Sequence, residues 1–294
     1  MRKTLANFLL SASDSCPEIF FLTGDLGFGV FDEFKLKYPN KYLNVGIAEA
    51  GMVGVAAGLS SKNFIPICYS IASFLIPRSY EQVRFFSGYN NKKIIYIGAG
   101  GGYTYGTSGA THHSLDDLGL AAGIPNIEVY APTGPEKLIE SLNFALKSNS
   151  SSYIQIGKFG EHDLNKIHAP NVHSKNAEVG FISYGILAKS IESIAEKTNI
   201  PFLGISNIKP IDPNLRKFVE KRQEIYLFEE QFENSPIYRI LLELSAKLKF
   251  NLIRKGPLEE FEKTPLSRDS LLQKHILNQA NFAKYATELG WVEN

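Results

Sequence analysis

Short β-branched or aromatic runs alternate with helical patterns along the chain, and this alternation restricts the fold more than any other feature. In the first half, strands are expected at residues 19–23, 42–45, 65–69, 94–97, 127–130 and 153–156. Helices are expected at 49–59, 79–86, 116–122 and 136–147. The last opens on Thr133-Gly-Pro-Glu136, a capping-box spacing with Pro in the first turn. Such alternation means a mainly parallel sheet covered by helices. Residues 158–176 break the pattern: they are polar, aperiodic and carry three His. The alternation restarts at Glu178, with strands expected at 179–184, 202–206, 225–229 and 251–253. Its helices are expected at 187–197, 214–221, 237–248 and 270–277. The expected fold class is therefore α/β, with domains at 1–165 and 178–294 joined by a linker at 166–177.

Composition narrows the function. The 294 residues are 44% apolar, enough for two proper cores, and the net charge of +1 lacks the basic excess of a nucleic-acid binder. No apolar run reaches membrane-spanning length. The start, MRKTLANFLLSAS, reads as an amphipathic first helix rather than a signal peptide. Cys16 and Cys68 are the only cysteines, with no disulfide framework and no metal-ligand spacing, so a reducing cytoplasm is expected.

Four segments fall just beyond expected strand ends, where such sheets bind ligands. Residues 44–59, NVGIAEAGMVGVAAGL, turn through Gly46 into the expected helix at 49–59, apolar on every side but for Glu49 in its first turn. A carboxylate in a buried helix is costly unless paired or protonated, which marks Glu49 for chemistry. The plain alternative is an anion favoured by the helix dipole. Thr23-Gly24-Asp25-Leu26-Gly27 places Asp25 at the first strand's mouth. Residues 69–78 bring Phe74, which could stack on a flat ring, and Arg78, which could hold a carboxylate or phosphate. A core Phe and a surface Arg are the bland readings. Residues 98–113, GAGGGYTYGTSGATHH, carry six glycines and end in His112 and His113. They lack the GxGxxG and P-loop lysine patterns, so a nucleotide loop is rejected and a substrate lid expected.

Taken in order, these segments resemble the C-terminal two-thirds of transketolase, and more closely the separate C-terminal subunit of split transketolases. The resemblance covers essentially the whole chain. GIAEAGMVGVAAGL is similar to the family's Gly-Ile-Ala-Glu helix, and SIASFLIPRSYEQVR to its ring-stacking segment. Thr111-His112 and Ile124-Pro125-Asn126 followed by Ala131-Pro132 match its Thr-His and Ile-Pro-Asn motifs. In the second domain, Ile182-Ser-Tyr-Gly185, Ile208-Lys-Pro-Ile-Asp212 and Phe228-Glu-Glu-Gln231 keep the family's order. Each motif is weak alone; the ordered set is specific.

The resemblance implies a pyrimidine-binding domain at 1–165, a transketolase C-terminal-like domain at 178–294, and ketol transfer with thiamine diphosphate. It implies that Glu49 hydrogen-bonds the aminopyrimidine ring and favours its imino tautomer. Phe74 would stack on that ring, Ile71 would supply an aliphatic part of the same face, and Asp25 would lie near the thiazolium. His112 would hydrogen-bond substrate or move protons, with His113 a weaker candidate. Arg78, Ser108 and Lys158 would read the substrate. Ser108 stands within Gly106-Thr107-Ser108-Gly109, where relatives acting on pentose phosphates have Gly-Glu-Asp-Gly. A glycine near Gly100 replaces an upstream His, and Lys158 replaces an Arg. An unusual sugar substrate, for instance for a surface polysaccharide, is therefore expected.

The family's diphosphate and magnesium site lies in its N-terminal domain, with a Gly-Asp-Gly…Asn motif. Gly24-Asp25-Leu26-Gly27 is not that motif, since no Asn follows at the required distance. A separate N-terminal subunit holding the metal is expected, with two copies of each chain in a heterotetramer. The Glu229-Glu230 pair reads as structural. Rival readings are the beta subunit of a 2-oxoacid dehydrogenase, a 1-deoxyxylulose-5-phosphate synthase-like enzyme, and a non-catalytic scaffold subunit.

Overall fold

A computed structural model of the chain describes residues 1–158, 162–164, 178–275 and 287. The expected linker at 166–177 and the end of the helix expected at 270–277 lie outside the described residues. The strands of the first half are β1 (Ile19–Thr23), β2 (Tyr42–Asn44), β3 (Ile65–Ile71), β4 (Ile95–Ala99), β5 (Ile127–Tyr130) and β6 (Ser151–Ile156). Those of the second half are β7 (Val179–Tyr184), β8 (Phe202–Ile205), β9 (Asn207–Lys209), β10 (Glu224–Phe228) and β11 (Asn251–Lys255). A seven-stranded sheet runs in the order β2-β1-β3-β4-β6-β5-β9, and a four-stranded sheet in the order β11-β10-β7-β8. Among the described residues, all strand pairings are parallel except that of β9 with β5. The sequence pattern did not foresee β9, a short strand from the second half that closes the edge of the first sheet.

The central strands explain themselves. β4 and β6 are buried along their whole length, as parallel strands covered on both faces must be. One apolar cluster under the first sheet includes Val129 and Ala131 and continues into Ile182, Ile205 and Ile208, so the two sheets share a core. A second cluster lies on the opposite face, where Leu5 and Leu9 of α1 (Arg2–Ser15) meet Ile95, Ile97 and Leu142.

The remaining helices in chain order are α2 (Asp32–Lys37), α3 (Glu49–Ser60), α4 (Ala72–Arg78), α5 (Tyr80–Val83) and α6 (Asp117–Ala122). They continue with α7 (Pro135–Lys147), α8 (Ala188–Thr198), α9 (Asn214–Val219), α10 (Pro236–Leu248) and α11 (Arg268–Lys274). The single helix expected at 79–86 is instead α4, the short α5 and a π-helical segment at Arg84–Tyr89. Because α4 begins at Ala72, Phe74 and Arg78 stand four residues apart on one helical face. Among the described residues no helix is long and apolar enough to cross a membrane.

The all-apolar helix α3 also departs from expectation. Met52, Val53, Ala56 and Ala57 are buried, but Ala48, Gly51, Val55 and Gly58 are exposed on the opposite face. Ile47, just before the helix, is 75% exposed. The exposed positions follow a three-then-four spacing of small residues, a seam that another helix can approach closely.

Candidate active site

Glu49 opens α3 and is only 1% exposed. The turn before it is shaped by Asn44, whose side-chain oxygen accepts the backbone N–H groups of Gly46 (2.9 Å) and Asp25 (3.0 Å). Gly46 takes φ of 73°, a left-handed conformation that glycine adopts without strain. The Glu49 carboxylate is paired on both oxygens. Ser70, near the end of β3, donates its hydroxyl to Oε1 at 2.9 Å, and Arg78 donates Nη1 to Oε2 at 2.7 Å. Burial of the charge is thus offset by two donors and by the helix N-terminus. Each oxygen retains acceptor capacity for a further donor. Gly24, at the mouth of β1, presses close to the same group: a Cβ there would lie 2.9 Å from Ser70 Oγ and 3.5 Å from Glu49 Oε1.

Arg78 therefore belongs to Glu49 in this arrangement rather than standing apart as a substrate clamp. Its guanidinium also lies 4.3 Å from the centroid of the Phe74 ring. The edge of His112 meets Phe74 with centroids 4.9 Å apart. His112 Nδ1 is 3.0 Å from the Thr111 hydroxyl, which fixes the ring and leaves Nε2 to face other groups. Tyr105 lies 6.2 Å beyond His112, and the ammonium of Lys158 sits 4.3 Å from the Tyr105 ring centroid. Arg2 donates Nε to the Lys158 carbonyl at 3.3 Å. A continuous line of contacts thus runs along the carboxyl edge of the first sheet: Glu49, Arg78, Phe74, His112, Tyr105, Lys158 and Arg2.

The far end of this line is cationic. Burial, and then the charge of Arg2, hold the Lys158 ammonium below the ordinary lysine value. Among the described residues, the buried hydroxyl of Tyr105 has no hydrogen-bond partner there. Burial raises the Tyr105 phenol above its ordinary value, and Arg2 opposes that rise. Arg2, Tyr69, Tyr105, Ser70 and Asn44 were not singled out from the sequence. Arg2 had no local signal beyond its place in an amphipathic first helix.

The other expected site residues are placed as follows. Asp25 is exposed, with φ of 54°, and accepts from Asn44 Nδ2 at 3.2 Å. Ile71 is half-buried and precedes the first turn of α4. Ser108 is exposed on a short 3-10 turn. His113 turns away from His112: it is buried, its Nε2 lies 3.2 Å from the Gly106 carbonyl, and its ring packs on the edge of Tyr103. Burial holds its imidazole below the ordinary histidine value. In this arrangement His113 packs within the loop.

The first part of the glycine loop is packed into the fold. Residues 98–106 are buried, and the glycines stand where a side chain would collide. A Cβ at Gly98 would strike the Tyr153 hydroxyl, one at Gly101 the Gln155 amide, and one at Gly106 the Leu266 carbonyl. Only the stretch from Thr107 to His112 emerges to the surface.

Residues 1–158 match the family model for the transketolase pyrimidine-binding domain. The chain belongs to the transketolase family. Over 274 residues it is 27% identical to an apulose-4-phosphate transketolase subunit of Actinobacillus succinogenes, covering 87% of each chain. It is 26% identical over 224 residues to 6-deoxy-6-sulfo-D-fructose transketolase subunit SqwH of a Clostridium species, covering 72% of this chain and 70% of the relative. These relatives are transferases. A solved split-gene transketolase, described as an inactive beta4 tetramer, superposes with a TM-score of 0.81 at 22% identity over 98% of this chain and 97% of that one. The transketolase of Campylobacter jejuni has the same fold over 98% of this chain and 46% of its own, with a TM-score of 0.80 at 15% identity.

Proposed function

We propose that this chain is the C-terminal, beta-type subunit of a two-chain transketolase-like enzyme that transfers a ketol unit between sugars using thiamine diphosphate. The observation that carries the reading is the buried Glu49, held by Ser70 and Arg78 beside the Phe74 ring at the carboxyl edge of the first sheet. These residues fit the cofactor's aminopyrimidine: a carboxylate with acceptor capacity left, a flat aromatic ring and the aliphatic Ile71. When bound, thiamine diphosphate supplies the carbon nucleophile and the electron sink for carbon–carbon cleavage. Glu49 would accept a ring N–H and move a proton at that atom. Phe74 and Ile71 would orient the ring, and Asp25 would face its cationic portion. His112, with Nδ1 held by Thr111, would use Nε2 to exchange protons with substrate oxygens.

Arg2 and Lys158 would receive an anionic end of the sugar, with Ser108 reading a hydroxyl. The relatives named for apulose 4-phosphate and 6-deoxy-6-sulfo-D-fructose support an uncommon sugar carrying such a group. The exposed seam of α3 supports assembly of this chain with a second copy, since small residues allow close helix approach. The diphosphate and its magnesium ion would be held by a separate N-terminal subunit, giving a heterotetramer. The test is reconstitution with a chain carrying that domain. Ketol transfer is expected only from the mixture and with an uncommon sugar as the better substrate. Full activity of the isolated chain, or full activity on ordinary pentose phosphates, contradicts the corresponding part of the reading.

A further inference from the structure

The buried half of the glycine loop is held by the second half of the chain. Glu230, just past the end of β10 and 6% exposed, accepts the backbone N–H of Tyr103 through Oε2 at 2.8 Å. Arg268, the first residue of α11, donates Nη2 to the other oxygen, Oε1. Gly102 takes φ of 60°, and a Cβ there would lie 2.7 Å from Glu230 Cβ. Gly106 lies against the same segment: a Cβ there would be 2.6 Å from the Leu266 carbonyl and 3.0 Å from the Arg268 backbone nitrogen. His275, at the end of α11, stacks on Tyr103 with an interplanar angle of 9° and places Nε2 2.9 Å from its hydroxyl. The loop segment that leads to Ser108 and His112 is therefore held by a carboxylate and by a helix start, both from the second half of the chain.

We propose that Glu230 and Arg268 are positioning residues: they fix the glycine loop so that Ser108 and His112 reach substrate in one geometry. The inference rests on the proposed substrate role of that loop. It gives the C-terminal domain a task beyond assembly, because neither residue touches Glu49 or Phe74. A buried carboxylate that holds a backbone amide is effective only while its charge is balanced, and Arg268 balances it. Loss of either partner removes the hold on the Tyr103 backbone amide and is expected to loosen the residues that follow it.

Two measurements test this. The first is amide hydrogen exchange on the full chain, comparing wild type with E230Q, R268A and R268K. Exchange across 100–113 is expected to quicken about tenfold in E230Q and R268A, to stay near wild type in R268K, and to be unchanged in β4. Unchanged exchange in the loop overturns the proposal. So does equal quickening of the loop and β4 in both E230Q and R268A, which would make the pair a general support of the fold. The second is kinetics of the reconstituted two-chain enzyme with 3-hydroxypyruvate as donor and glycolaldehyde as acceptor. R268A is expected to lower kcat/KM about tenfold, mostly through KM, with R268K restoring it. A loosened loop with unchanged kinetics overturns the positioning role. A wild-type complex with no ketol transfer on any sugar refutes the functional reading and with it that role, while the exchange result still decides whether the pair holds the loop.

Discussion

Removing Arg78 gives the most informative test of how Glu49 is held. In a fully buried pair, loss of one partner destabilises by roughly 3–5 kcal/mol, because the other charge is left without compensation. Here the Arg78 side chain is 43% exposed while Glu49 is 1% exposed. Water can reach the guanidinium's place, and the Ser70 hydroxyl remains on Oε1, so the expected loss for Arg78→Met is about 2 kcal/mol. Part of that loss is not electrostatic: the guanidinium over Phe74 contributes about 0.5 kcal/mol at a half-exposed site. A double-mutant cycle separates the two. In a Glu49→Gln background, Arg78→Met is expected to lose only the Phe74 contribution, which leaves a coupling of about 1.5 kcal/mol. The assay is urea unfolding of the four chains at pH 7, read by circular dichroism. A coupling below about 0.5 kcal/mol would refute the claim that Arg78 compensates the Glu49 charge.

Other outcomes follow from the same geometry. Asp116 is pushed up to about 6, first by burial and then by the charge of Asp117. Its folded state holds a proton more tightly than the unfolded chain does, so its contribution is present below about pH 4 and is lost as pH rises through 6. Asp116→Asn should therefore raise the unfolding midpoint at pH 7 and leave it unchanged at pH 4; a uniform shift at both would contradict the assignment. Lys158→Ala and Arg2→Ala should each raise KM for a phosphorylated or sulfonated sugar by about tenfold or more, and leave KM for glycolaldehyde unaltered. Equal effects on both substrates would remove the anion-binding role. Gly51→Leu should block the α3 seam and shift the assembly toward smaller species in sedimentation experiments. An unchanged distribution would place the contact elsewhere.

The first sheet was largely legible because its buried parallel strands are short apolar runs flanked by turns. β1 and β5 were expected with their observed limits, as was β7 of the second sheet. β9 was not, since Asn207–Lys209 has no alternation and becomes a strand only by pairing antiparallel with β5, a contact distant in sequence. The early start of α4 was hidden for a related reason: Ala-Ser-Phe after a strand, with Pro77 inside the helix, carries no local helix signal. Glu49 stood out because it interrupts an apolar helix, but its partners Ser70 and Arg78 come from two other elements, β3 and α4. The glycines of 98–106 suggested mobility, whereas the fold uses them to admit Tyr153, Gln155 and Glu230 against bare backbone. Composition alone cannot separate these two uses of glycine.

The central claim is that Glu49 moves a proton for thiamine diphosphate in a complex of two different chains. Its most direct test is the turnover of the Glu49→Gln complex, reconstituted with the partner subunit at saturating cofactor and magnesium. The amide keeps the size of the side chain and one acceptor oxygen, but it puts a donor in place of the second oxygen and cannot carry a proton away. Turnover is expected to fall about a hundredfold or more, with assembly intact by sedimentation. Wild-type turnover from the Glu49→Gln complex would contradict the account and leave the chain as a scaffold for chemistry done elsewhere.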